Sequence, residues 1–442
     1  MEPLFSTSFP AADKLAWLAQ IRKELKDDNA FESLRWHNED GFIVEPYYTA
    51  DDLADLPLVQ IQSAQKQTTG WLNAPERRIS DEKADNVLLR DTLRRGADAL
   101  VLTLPPNLDL ARLLDGIKLS DTPVFFRTDA YSNPVRFIQS LKSIAPYQLK
   151  GGLLTDAGPL TAQVTRLTAD SPQFRSVTIS SHDFHNAGAT AAQELGFALA
   201  RLAEVYDQLT DDGLTLAELI PKTALSVSVG TSYFLEVAKL RALRVLLARF
   251  AAAYQVNFES QPLPFLLHSQ TSTFYDASAT PYTNLLRATT EAMAAVIGGC
   301  DVLTVHPYNA ILGNINEFSE RIARNISVLL KEESYFDKVT DPSAGSYYIE
   351  NLTNQLIETA WALFLNVEEM GGLVKAFASG YVLDQIDKSY QARVEAVKNG
   401  KVLVGVTKFR FDESLQPSHT NKPTQPSALT SLPDRRLTEP FE

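Results

Sequence analysis

Short apolar runs alternate with long helical stretches through most of this chain. Eight short segments carry the β-branched and apolar density of strands: Leu58–Ser63, Ala99–Leu104, Pro123–Asp129, Gly152–Asp156, Ser176–Ser181, Ala224–Gly230, Pro264–Gln270 and Asp301–His306. Each is followed by sequence of helical spacing, the sign of βα units around a parallel sheet. Eight such units in 442 residues predict an α/β fold, a (β/α)8 TIM-type barrel. Two helices are marked most clearly. Between Leu235 and Tyr254, residues Leu240, Leu243, Leu246, Leu247 and Phe250 share a face. Residues Leu352, Leu356, Ile357, Ala360, Leu363, Phe364 and Val367 do the same, and Gly371-Gly372 is placed to end that helix with a left-handed cap.

The predicted barrel occupies residues 51–410. Residues 1–50 read as an N-terminal arm with one helix, Ala11 to Lys26, and an aromatic pair, Tyr47-Tyr48. Residues 411–442 are polar and carry Pro417, Pro423, Pro426 and Pro433, which predicts an extended C-terminal linker or tail.

Alternation along the predicted strands has a chemical consequence. In Ala224–Gly230 it puts Ala224, Ser226 and Ser228 on one face and Leu225, Val227 and Val229 on the other. In Ser176–Ser181 it separates Ser176, Thr178 and Ser180 from Val177 and Ile179. The apolar sets belong against helices, so the hydroxyls should point inward, where ordinary barrels place bulky branched residues. This implies a bore that is narrow, polar or occupied; hydroxyls satisfying one another would look the same.

Composition narrows the class. A chain that is 45% hydrophobic can bury a large core, and a net charge of −13 argues against nucleic acid as a partner. The single cysteine, Cys300, excludes an internal disulfide or a CxxC metal site and fits a reducing cytosol, hence a cytoplasmic protein. The start, MEPLFSTSFPAADKLAWL, shows no basic region followed by an apolar run, so no signal peptide is expected. No apolar run is long enough to cross a bilayer.

Active sites of such barrels lie at the C-terminal ends of the strands. The polar residues there are Arg127, Asp129, Asp156, the run Ser181 to His185, Thr231, His268, Gln270 and His306. His182, Asp183, His185 and His268 could supply metal ligands. Against this, His182 and His185 would fall on opposite faces of a regular strand, and no HExxH-type spacing supports them. Hydrogen-bonded strand ends are the plainer reading.

Specific runs then enter: HSQTS at His268, NLLRATTEAMAAVIGG, SERIARN, and DPSAGSYYIENLTNQLIETAWALFLNVEEMGG ending at Gly372. In order and spacing these resemble the acyl-CoA mutases that use adenosylcobalamin, above all the small (beta) subunit of the methylmalonyl-CoA mutase family. The resemblance is strong from His268 to Gly372, moderate from Ser176 to Phe250 and weak before Leu104. It implies an isomerase of propionate metabolism that interconverts methylmalonyl-CoA and succinyl-CoA by radical migration of the thioester, in a barrel threaded by coenzyme A.

It also implies that this chain's own site is degenerate. SVTISSHDFHNAGAT corresponds to a family segment whose Tyr-His pair meets cofactor and thioester; His182 and Asp183 stand there instead. An ionised carboxylate cannot donate a hydrogen bond to the thioester oxygen. PKTALS corresponds to PRLSFF, so Lys222 replaces an arginine fork and Ala224 a serine. A glutamine after the EAMAA helix becomes Asp301. His268 and Gln270 match the pattern, and with Lys222 and Ser226 they form a vestigial substrate-binding set. No cobalamin-binding domain with its cobalt-coordinating DxHxxG histidine is expected here; the one DxHxxG spacing, Asp183 to Gly188, falls inside the predicted barrel. The expectation is a heterodimer in which a large (alpha) subunit holds adenosylcobalamin and the acyl-CoA substrate, and this chain supports it. Two alternatives stay open: a catalytic barrel whose cobalamin domain is a separate polypeptide, and a metal-dependent hydrolase using His182, Asp183 and His268.

Overall fold

The computed structural model describes residues 13–128, 133–254, 262–411 and 432–442. Eight parallel strands form its centre. β1 is interrupted, Leu72–Asn73 and Glu76–Arg78; β2 is Leu100–Thr103, β3 Val124–Arg127 and β4 Gly151–Leu153. β5 is also interrupted, Phe174–Arg175 and Val177–Ser180; β6 is Thr223–Val229, β7 Leu266–Thr271 and β8 Val302–Thr304. The first half of β1 pairs with β8, Leu72 beside Val302, and its second half with β2, Glu76 beside Val101. The two halves of β5 likewise join β4 to β6, Phe174 beside Gly151 and Val177 beside Thr223. Through these two broken strands the parallel ladder runs round all eight, the (β/α)8 arrangement.

Seven of the eight expected strands lie where the alternation put them, although Asp129 falls outside the described residues. The first does not. Leu58–Ser63 is an α-helix that follows Pro57, with Ile61 as its buried residue and Val59 78% exposed. Val59 and Ile61 mimic a two-residue period, but the segment packs outside the barrel, where Gln62 Nε2 donates to Glu350 Oε1 at 3.1 Å. The true β1 lies within TTGWLNAPERR. Pro75 has no N–H to give the ladder and breaks it there, while its carbonyl still accepts from Val101 N at 3.1 Å.

The two well-marked helices form as expected, Tyr233–Ala253 and Tyr347–Glu369, and pack on Ala191–Asp211. Gly371 and Gly372 close the second with φ of +92° and +97°, a region that favours glycine. The DPSAGSYYIE run is a fixed turn. Arg241, buried between these helices, holds Asp341 through two bonds of 2.7 and 2.9 Å and Glu350 through two of 3.0 and 3.1 Å. Glu350 also accepts from Gly345 N at 2.9 Å.

In the arm, helix Lys14–Leu25 buries no residue; Trp17 meets Tyr47 at 5.0 Å between ring centres and Tyr48 meets Tyr348 at 5.9 Å. Of the expected linker, residues 412–431 lie outside the described residues. Residues 432–442 lie back on the barrel: Leu437 is buried and its N–H donates to Phe274 O at 2.8 Å. Among the described residues no helix is long and apolar enough to cross a membrane.

Candidate active site at the barrel mouth

Inward-facing positions change character along the strands. Towards the N-terminal ends, Ala74, Ala99, Val101, Phe125, Leu154 and Val302 form one apolar cluster, with Leu72 and Leu266 packed against it. Two residues further along come Glu76 after Ala74, Thr103 after Val101, Arg127 after Phe125, Thr304 after Val302 and His268 after Leu266. On β6 the series Ala224, Ser226, Ser228 makes the same change, while Leu225, Val227 and Val229 join the large core under the helices. The lower bore is packed with apolar side chains and the mouth is polar.

The polar layer is cross-linked. His182 binds Ser228 Oγ through Nδ1 at 2.8 Å and Ser226 Oγ through Nε2 at 2.7 Å. Ser226 Oγ also meets His268 Nδ1 at 2.7 Å, and His268 Nε2 meets Thr304 Oγ1 at 3.0 Å. Thr304 donates onward to the Ala74 carbonyl at 2.8 Å. Across the mouth, Arg127 Nη2 donates to Gln270 Oε1 at 2.7 Å, and Thr103 donates to Glu76 Oε1 at 2.7 Å. His306 donates through Nδ1 to the Thr271 carbonyl, 2.7 Å away, and its Nε2 lies 4.0 Å from Glu76. An imidazole facing a carbonyl oxygen must be the donor, which fixes that tautomer.

Burial sets the charge states. It holds the His268 imidazole down to about 3, with the Arg127 charge adding to the effect. His182 is pushed well below its ordinary value by burial and then by Arg127, and His306 is lowered first by burial. Burial alone would raise the Glu76 carboxyl, but Arg127 and His306 outweigh it and keep it below the usual range. The mouth at neutral pH is thus a set of neutral imidazoles around one Glu76–Arg127 charge pair.

The sequence-predicted residues divide. His182, Ser226, His268 and Gln270 come together here. Asp183 does not face this network: Arg201 grips it with bonds of 3.2 and 2.7 Å. The cause is local, because the strand ends at Ser180 and residues His182–Ala187 form a short helix. The same turn corrects the strand-parity reading of His182 and His185. His185 points to a separate buried group, with Nδ1 on Glu194 at 3.2 Å and Nε2 on Ser272 at 2.7 Å.

Lys222 and Asp301 lie at the N-terminal ends of β6 and β8, away from the mouth. Lys222 Nζ donates to the carbonyls of Thr168 and Ser171, both at 2.6 Å, and burial followed by the Arg175 charge pulls it down to about 8. Asp301 pairs with Lys66 at 3.2 Å and Arg244 at 3.1 Å, and accepts from Leu267 N at 2.8 Å. Ser176, expected inside, sits at the β5 break and meets Thr165 Oγ1 at 2.8 Å on the outer side. Among the described residues no group of three or more His, Cys, Asp or Glu is placed to hold a metal ion. Glu76, Thr304 and Arg201 were missed. Alternation from Val302 points to Thr304, whereas Glu76 was hidden by the misplaced first strand.

An eight-stranded α/β barrel with polar side chains converging at its C-terminal mouth belongs to the architecture that houses barrel enzymes. The pattern of the methylmalonyl-CoA mutase family matches residues 154–436. The chain is 33% identical over 443 residues to a methylmalonyl-CoA mutase small subunit of Porphyromonas gingivalis, covering 92% of this chain and 71% of the relative. To the small subunit of Streptomyces virginiae it is 32% identical, covering 99% and 76%. To methylmalonyl-CoA mutase of Rhizobium meliloti it is 30% identical, covering 90% and 64%. The chain belongs to the methylmalonyl-CoA mutase family, a family of cobalamin-dependent isomerases.

Proposed function

We propose that this chain is a supporting small subunit of a heteromeric methylmalonyl-CoA mutase, with a degenerate site of its own. The observation that carries this reading is the cross-linked histidine network of the mouth above a packed lower bore. Both nitrogens of His182 and of His268 are engaged within the chain, and Gln270 Oε1 is taken by Arg127. Stabilising charge on a migrating thioester needs donors aimed at the oxygen and left free for it. His268, Gln270 and Ser226 are then vestiges of a substrate pocket, turned to holding the barrel together.

The mouth offers a cobalt ion little. A cobalt ligand needs an imidazole nitrogen with a free lone pair. His182 and His268 commit both nitrogens to protein partners, as does His185 in its separate buried group, whereas His306 donates through Nδ1 and holds the lone pair of Nε2 4.0 Å from the Glu76 carboxylate. A large partner subunit in the same cytosol would bind the cofactor and the acyl-CoA. The arm helix Lys14–Leu25, which holds no fully buried residue, is suited to lie across that partner.

The test mixes this chain with the cobalamin-binding mutase chain from the same source, followed by size-exclusion chromatography and mutase assays on the fractions. Co-elution is expected, with activity in the complex and none from this chain with adenosylcobalamin. Separate peaks would reject the subunit reading. Turnover on adding a free cobalamin-binding domain would instead favour a split catalytic barrel.

A further inference from the structure

A small second core stands apart from the main one, built from Phe274, Val394, Val397, Leu403, Val406 and Leu437. Residues 434–442 strap across it along the loop that follows β7. Leu437 N donates to Phe274 O at 2.8 Å, and Thr438 Oγ1 donates to Asp276 O at 2.6 Å. Arg436 Nη1 reaches the same carbonyl at 3.1 Å and Glu442 Oε2 at 3.2 Å, while Ser278 N donates to Glu442 Oε1 at 2.6 Å.

Two buried acids sit beside this strap. Asp276 is 5% exposed and Glu291, on the helix Thr283–Ile297, is 1% exposed. Glu291 Oε2 accepts from Ser272 N at 3.1 Å, but its Oε1 is buried with no hydrogen-bond partner. Among the described residues neither carboxyl forms an ion pair. Arg287 is held by Asn284 Oδ1 and the Val404 carbonyl, both at 2.7 Å, and Arg436 by the strap's own contacts. Burial pushes Asp276 up to about 8 against the pull of Arg287 and Arg436. Burial, then Asp276 and Glu236, raises Glu291 well above the carboxylate range. Tyr275 is pushed up to about 12 by burial, and Glu442 is held down against burial by Ser278 and Arg436.

A carboxylate in such a site ionises only when water reaches it. Leu267 of β7 and Ala292, Ala294 and Ala295 of the helix are fixed in the main core, so the strap is the element that can move aside. We propose that residues 434–442 are a proton-controlled latch: with Asp276 protonated the strap is closed on the Phe274–Ser278 loop, and ionisation of Asp276 releases it and uncovers the second core. Asp276 holds its proton more tightly with the strap closed than in water, so closure is favoured below about pH 8 and lost as pH rises through it. The latch lies outside the mouth network and does not depend on the proposed subunit role.

Hydrogen exchange at the Leu437 amide of the full chain reads the latch directly. Corrected for the intrinsic exchange rate, its protection should fall by about tenfold between pH 7 and pH 9, as one group titrating at about 8 requires. The amide of Leu246, in the main core, should keep its protection, which separates strap release from global unfolding. Asp276→Asn is neutral at both pH values and should abolish the fall while Leu437 stays protected; Asp276→Ser repeats the test with a smaller neutral side chain if the first variant does not fold. Equal protection of Leu437 at the two pH values in the wild-type chain overturns the proposal. So does a fall of the same size in the neutral variants, or a matching loss at Leu246.

Discussion

The two ends of the bore are built from the same eight strands and solve different problems. At the N-terminal end Val101, Phe125, Leu154 and Val302 fill the interior as an ordinary barrel does. Two residues along the same strands, Thr103, Arg127 and Thr304 join His268 and Ser226 in a hydrogen-bonded layer. The lower layer is held by area removed from water and by close packing, which are indifferent to partner identity. The upper layer holds only if every buried polar group finds a specific partner. A polar bore is therefore not by itself a channel: here it is a lid of mutual hydrogen bonds over a packed floor.

If the floor is a true core layer, Phe125→Ala should be the most damaging change, costing about 3–5 kcal/mol by urea denaturation, as large cavities do. A loss below about 1 kcal/mol would mean that the lower bore is loosely filled.

The mouth should respond to acid rather than to volume. The folded-state value of His268, about 3, lies below its ordinary 6.5, so its contribution is complete above pH 6.5 and is lost as pH falls towards 3. Between pH 7 and 5 this one imidazole should remove about 2 kcal/mol of stability. Unfolding curves at the two pH values should show that slope in the wild-type chain, and His268→Gln should flatten it in part, leaving the share of His182. An unchanged slope in His268→Gln would assign the acid sensitivity elsewhere.

The smallest expected effect is Ser228→Ala. It removes one partner from His182, which keeps Ser226, and should cost about 1 kcal/mol in the same denaturation assay. A cost as large as that of Phe125→Ala would mean that the mouth network is a cooperative unit whose links cannot be counted singly.

Much of this was legible in advance because it is local. Strand parity alone separated Ser226 and Ser228 from Leu225, Val227 and Val229, and helical spacing marked Tyr233–Ala253 and Tyr347–Glu369. The first strand was not legible. Pro75 divides it into pieces of two and three residues, too short to show a period, while Val59 and Ile61 imitate one in a helix. Asp183 was misjudged for a related reason: the chain leaves strand geometry at Ser181, and nothing in SSHDFH announces the turn.

The sequence by itself determined the alternation of strands and helices, the membership of the family through its HSQTS to NVEEMGG runs, and the small polar residues on one face of β6. Only the tertiary structure decided what each polar group meets. Arg201 neutralises Asp183, Lys66 and Arg244 hold Asp301 at the opposite end of the barrel, and Arg127 reaches Gln270 across the mouth. Periodicity is written in neighbours a few residues apart, whereas partners such as Arg127 and Gln270 lie 143 residues apart and meet only because the barrel closes.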